Sequence, residues 1–196
     1  MSEKRRFWMQ WRVRLGYPVA VAYWLLASPT RRSIMYGAIV AALGLIVRGV
    51  AAGYLRKYQE LATSGPYART RNPLYLGSGL LAAGFIVAGH SWIAGPLVAV
   101  YFAVFYYFVM RNEEEDLRSR FGATFGEYAR RVPLFFPRMR PASGWRSADA
   151  GQTAKTFSWG QYRRNHEYQA SMGTVLGFVA VWIRIWLPVW ESFRHR

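Results

Sequence analysis

Apolar runs alternate along the chain with short, strongly basic connections, and this alternation is its main structural signal. Five apolar runs can be read: Leu15 to Ser28, Ser33 to Tyr54, Leu74 to Ala88, Ser91 to Met110 and Met172 to Trp190. The first and third are short against the roughly 20 residues of a membrane span. The fifth suits either a span or a helix lying in the interface. Pro18 near the start of the first run fits a first helical turn. Gly89-His90-Ser91 allows only a tight hairpin between the third and fourth runs. The pattern predicts an all-α membrane protein, a bundle of about five transmembrane helices with a C-terminal amphipathic region.

Beyond the fourth run the period changes. Leu117, Phe121, Phe125 and Tyr128 predict an amphipathic helix over Glu113 to Arg131, with Gly122 as a candidate break. Val132-Pro133 and Phe136-Pro137 end it. Pro141 to Lys155 reads as a surface linker and Phe157 to Gln169 as a basic, aromatic collar at the membrane surface. Three regions follow: a transmembrane hairpin over 1–55, a core over 56–140, and a linker, collar and fifth helix over 141–196.

Charge sets the orientation. The net charge of +16 could signal nucleic acid, but the basic residues flank apolar runs and no nucleic-acid-reading motif occurs. Lys4, Arg5, Arg6, Arg12 and Arg14 precede the first run, Arg56, Lys57, Arg69 and Arg71 follow the second, and seven arginines from Arg111 to Arg140 follow the fourth. Alternating spans bring all three groups to one side, the cytoplasmic one by the positive-inside rule. Arg31-Arg32 is the exception. Nine Trp and thirteen Tyr suit residues parked at both interfaces. The absence of cysteine excludes disulfides and thiolate chemistry. His90, His166 and His195 form no metal-binding pair, so no metal is expected.

Two polar patches could carry chemistry. The first joins Gly65-Pro66-Tyr67 to Arg71-Asn72-Pro73-Leu74-Tyr75, where Gly-Pro forces a turn and Pro73 opens the third helix. The second is Glu113-Glu114-Glu115-Asp116, four of the ten acids in the chain. Acids in a first helical turn favour the dipole, and Glu114 can pair with Arg118. Four acids beside a basic loop also suit a cationic ligand. Arg48 stands inside an apolar run, where a charge is costly; it either snorkels to headgroups or meets a ligand. Arg184 is open to the same two readings.

Gly-Pro-Tyr, Arg-Asn-Pro-Leu-Tyr-Leu-Gly and Glu-Glu-x-x-Leu-x-x-x-Phe-Gly, in that order, resemble the isoprenylcysteine carboxyl methyltransferase and phospholipid methyltransferase superfamily. The resemblance runs from Leu61 to Pro137. It implies a cofactor pocket at the cytoplasmic end of the bundle, with S-adenosylmethionine held by Gln59, Leu61, Ala62, Gly65, Tyr67, Asn72, Pro73 and Tyr75. It also implies that Glu113, with Glu114 beside it, meets the cationic amino-acid part. Asn72 stands where the family often has His, and Val109 stands where the carboxyl methyltransferases have an acceptor-binding Arg. Arg48 and Arg111 are left as candidates for the acceptor.

The implied protein is an S-adenosylmethionine-dependent methyltransferase acting on a lipid-like acceptor. It would sit in an inner (cytoplasmic) membrane of bacterial type, with its N-terminus and site facing the cytoplasm. An NADPH-dependent membrane reductase of the sterol type is the alternative enzyme, and a non-catalytic membrane scaffold the alternative outside catalysis. The methyltransferase reading requires Tyr67 and Glu113 to face one nucleoside-sized space.

Overall fold

A computed structural model describes residues 3–56, 60–141 and 156–187. Six α-helices occur among the described residues: α1 (Glu3–Leu26), α2 (Arg31–Tyr54), α3 (Pro73–Gly89), α4 (Ala94–Arg131), α5 (Trp159–Arg164) and α6 (Tyr168–Trp186). No strand occurs among the described residues. The chain is an all-α membrane protein. α2, α4 and α6 are long and apolar enough to cross a membrane, and Val13–Leu26 and Pro73–Gly89 are shorter apolar helices. Outward-facing Val21, Ile39, Ile46, Val100 and Leu176 are exposed. An apolar exterior around a small-residue interior is what lipid, rather than water, selects.

α2 and α3 form the tightest pair, and glycine is the reason. A Cβ at Gly37 would lie 2.4 Å from the Gly84 carbonyl oxygen, and one at Gly44 would lie 2.8 Å from that of Gly77. The two backbones touch through these gaps, as small-residue spacing allows within membranes. At the end remote from the acids, Tyr23, Ala27, Ile34, Ala88, Ala94 and Val181 close a core. Thr30 and Ser33 cap α2 reciprocally. The Tyr23 hydroxyl donates to the Phe85 carbonyl at 2.6 Å.

Several expectations change. α1 begins at Glu3, so Pro18 lies inside the helix rather than in its first turn. α4 runs unbroken from Ala94 through the four acids, so these do not open a new helix and the dipole argument for them lapses. The interruption sits at Gly122, whose φ of 50° and ψ of −123° kink the helix. The fifth run forms α6, which begins at Tyr168 rather than Met172; residues 188–190 lie outside the described residues. The expected collar folds as the short helix α5 and a turn at His166 (φ 53°), packed on the end of α2. The Asn165 amide donates to the Ala52 and Leu55 carbonyls at 2.8 and 2.9 Å, satisfying the end of α2. Arg184 does not snorkel. It is buried and donates to the Trp24, Leu25 and Leu187 carbonyls, fastening α6 to the end of α1.

Candidate active site

The connection between α2 and α3 is held in shape by the chain beyond α4. Gly65 takes φ +59° beneath the Tyr54 ring and starts a single 3-10 turn, Gly65–Ala68. Arg71 N–H donates to the Pro133 carbonyl at 2.9 Å, Arg138 N–H to the Arg69 carbonyl at 3.0 Å, and the Thr70 hydroxyl to the Phe135 carbonyl at 2.8 Å. The Tyr128 hydroxyl donates to the Tyr67 carbonyl at 2.8 Å. Phe125, Tyr128 and Val132, with Leu61, Leu117 and Phe121 against them, form a second core beneath this loop. The two proline-broken segments therefore brace each other.

Above them lies a cavity of about 950 Å³. Leu61, Ala62, Tyr67, Asn72, Pro73, Tyr75 and Glu113 all line it. Tyr67 and Glu113 thus share one space. Burial pushes the Tyr67 phenol well above its usual ionisation range, and the nearby Glu113 carboxylate pushes it further. Gly65 does not line the cavity; its part is to turn the chain. Gln59 lies outside the described residues. Asn72 touches the cavity, yet its amide donates to the Leu134 carbonyl at 3.0 Å. This side chain ties the two loops together.

The acids divide by helical position, successive residues turning by about 100° around the axis. Glu113 and Asp116 face the cavity, Glu115 is exposed, and Glu114 is buried away from it. Glu114 holds Arg71 and, at 3.0 Å, Arg111, in place of the expected Arg118. Arg118 lies over the Phe125 ring instead. Arg111 is exposed and does not line the cavity, which removes it as an acceptor group there. Of the four carboxylates lining the cavity, Glu60, Asp116 and Glu167 each hold an arginine: Arg56, Arg120 and Arg48. Glu113 holds none among the described residues; it accepts the Tyr75 hydroxyl at 2.7 Å. Arg71, which also lines the cavity, has a buried Nε with no hydrogen-bond partner.

Residues 31–124 match the model of the phospholipid methyltransferase family. Over that segment the chain is similar to this family of membrane methyltransferases. The chain is 37% identical over 110 residues to the cobalt-zinc-cadmium resistance protein CzcN of Cupriavidus metallidurans, covering 56% of this chain and 47% of that protein. It is 39% identical over 84 residues to the nickel-cobalt-cadmium resistance protein NccN of Alcaligenes xylosoxydans xylosoxydans, covering 43% and 39%. The chain therefore spans less than half the length of these curated relatives. No solved structure matches.

The methyltransferase-family segment supplies most of the cavity wall, but not all of it. Asn165, His166 and Glu167 line it from the turn before α6, and Gln169 and Ala170 from the first turn of α6, outside the matched residues. Glu167 is buried and pairs with Arg48 through both carboxylate oxygens, the Nη2–Oε2 distance being 3.1 Å. Arg48 also donates to the Ser78 hydroxyl. It points into the bundle and does not snorkel. Sequence reasoning missed Glu167. The available signal was the need of a cation within an apolar run for a carboxylate.

Proposed function

We propose that this protein is an integral membrane methyltransferase that uses S-adenosylmethionine to methylate a hydrophobic acceptor at the cytoplasmic face of its membrane. One observation carries the reading: Glu113 is the cavity carboxylate with no basic partner among the described residues. A carboxylate in a partly desolvated site attracts a cation more strongly than it would in water. The orphaned Arg71 Nε complements it, since an amino-acid group brings a carboxylate as well as an ammonium. The residues present therefore fit the cosubstrate, and its size suits a cavity of about 950 Å³.

Bound S-adenosylmethionine supplies an electrophilic methyl on a sulfonium, and its carbon–sulfur bond electrons leave with sulfur as the acceptor's lone pair bonds to carbon. Glu113 and Arg71 would hold the amino-acid end, with Tyr75 fixing the Glu113 carboxylate. Leu61, Ala62, Tyr67 and Pro73 would wall the nucleoside and keep water out. The protein's contribution is alignment and dryness, worth up to roughly 7–11 kcal/mol in well-oriented systems. No described residue needs to take up a proton if the acceptor reacts as an anion, and a neutral amine can shed its proton after transfer.

Metal resistance is named for the relatives, and no group of three or more His, Asp or Glu is gathered among the described residues. The reductase alternative calls for free basic groups to meet a 2′-phosphate. Arg56 is held by Glu60.

The full chain in lipid nanodiscs tests the proposal by calorimetric titration with S-adenosylhomocysteine and with NADPH. Saturable binding of the first alone is expected. Binding of NADPH alone, or of neither, overturns the reading. Labelled methyl transfer into a total lipid extract, with the product identified by mass, then names the acceptor.

A further inference from the structure

The segment 134–140, beyond α4, shows more apolar surface than a polar connection needs. Phe136 is 79% exposed and Met139 is 91% exposed. Met139 stands between Arg138 and Arg140, both also exposed. From Glu127 to Asp149 the sequence holds five arginines and no further acid.

Phe135 fixes the depth of this segment. A Cβ at Gly79 would lie 3.4 Å from its ring and 3.2 Å from that of Phe102. Gly79 is six residues beyond Pro73 on the apolar helix α3, about 9 Å along its axis. The segment is therefore pressed against the apolar wall of the bundle. The Phe136 ring meets that of Phe135 edge-on, with centroids 5.3 Å apart, and is otherwise uncovered. Uncovered apolar side chains among arginines at this level match the headgroup zone of a bilayer, where rings settle at the acyl boundary and guanidinium groups meet phosphate. The Arg138 guanidinium gives one N–H to the Arg131 carbonyl, out of the five it carries.

The same segment shapes the cavity loop. The Pro133, Leu134 and Phe135 carbonyls accept from Arg71 N–H, the Asn72 amide and the Thr70 hydroxyl, and Arg138 N–H donates to the Arg69 carbonyl. Arg71 and Asn72 line the large cavity, so a shift of the segment reaches it through these bonds.

We infer that residues 134–140 form an interfacial wedge for anionic phospholipid: Phe136 and Met139 enter the acyl boundary, Arg138 and Arg140 bind the headgroups, and this contact holds residues 69–72 in their cavity-forming shape. A free phosphate would meet the same arginines but would leave Phe136 and Met139 uncovered, which favours the bilayer. The link to cosubstrate binding rests on the methyltransferase reading; insertion of the wedge does not.

The chain has no cysteine, so a single introduced one can carry a fluorophore. Met139→Cys and, as a water-facing control, Glu127→Cys are labelled in the full chain, in phosphatidylcholine nanodiscs with or without about one third phosphatidylglycerol. Glu127 is exposed. In the anionic discs, lipid spin-labelled on its acyl chain should quench position 139 at least about threefold more than position 127. Unlabelled parent protein should bind S-adenosylhomocysteine, a zwitterion that lipid charge does not concentrate, about fivefold more tightly in anionic than in neutral discs. Arg138→Gln with Arg140→Gln should remove that difference at an unchanged unfolding midpoint, and inorganic phosphate added to neutral discs should not reproduce it. Equal quenching at the two positions overturns the wedge. Equal affinity in the two discs overturns its link to the cavity, and reproduction by phosphate overturns the bilayer as the partner. Failure of S-adenosylhomocysteine to bind in either disc overturns the methyltransferase reading instead, and quenching alone then decides the wedge.

Discussion

The Tyr75 hydroxyl donates to the Glu113 carboxylate at 2.7 Å across the gap between α3 and α4, while Glu114, the next residue, is buried against Arg71. Two adjacent carboxylates thus have separable duties. Glu113→Gln should weaken S-adenosylhomocysteine binding by roughly 10- to 100-fold, the loss of a charge-assisted contact of about 1.5–3 kcal/mol. Its unfolding midpoint should stay close to that of the parent. Calorimetric titration and thermal unfolding together check this; unchanged affinity would remove Glu113 from the site.

Glu114→Gln should do the reverse in kind. It leaves the partly buried Arg71 without its counter-charge, and breaking such a pair costs about 3–5 kcal/mol. The expected result is a clear fall in unfolding midpoint, with residual affinity tracking the folded fraction. A variant as stable as the parent would mean that the ion pair is dispensable.

Arg48 and Glu167 connect positions 119 residues apart. Glu167→Gln alone should destabilise by several kcal/mol, whereas Arg48→Met with Glu167→Leu should recover much of the loss, since apolar replacement of a buried pair is often neutral. A double-mutant cycle on unfolding free energies measures the coupling. Additive effects would show that the two side chains act independently.

Glycines provide an internal contrast. Gly37→Ala drives a methyl group into the Gly84 carbonyl and should destabilise by about 1–3 kcal/mol. Gly126→Ala meets nothing within 4 Å and should be neutral or stabilising by up to about 1 kcal/mol. Thermal unfolding of the two variants side by side is decisive.

Tyr67 gives a pH dependence with a fixed sign. Its phenol ionises near 10.0 when free and well above that in the fold. The unfolded chain therefore releases this proton first. The stability that Tyr67 contributes is complete below pH 10.0 and declines as pH rises past it toward the folded value. Tyr67→Phe should flatten the loss of unfolding midpoint between about pH 9 and 11. An unaltered alkaline slope would contradict the burial.

How much of this was readable in the chain differs by element. The apolar runs announced α2, α3 and α6 to within a few residues, because lipid leaves a continuous signal. The Gly65–Tyr75 and Glu113 motifs were readable as a set, and most of their residues do converge on one cavity. The continuity of α4 was not, since the change from apolar to acidic composition resembles a new helix start. Nor was the separation of Glu113 from Glu114, which depends on where the helix face points. Glu167 was invisible for a different reason. Its role exists only through Arg48, and a contact 119 residues away leaves no trace in local periodicity.

The unbroken run of α4 has a mechanical result. Phe102, which lines a smaller, largely apolar pocket beside α3, and Glu113 in the polar cavity are eleven residues apart on the same helix, about 16 Å, and the kink at Gly122 comes only after both. With no hinge between them, they move as one lever. Any tilt of this helix that displaces Phe102 must also shift the Glu113 carboxylate, so the apolar and polar ends of the site are geared together.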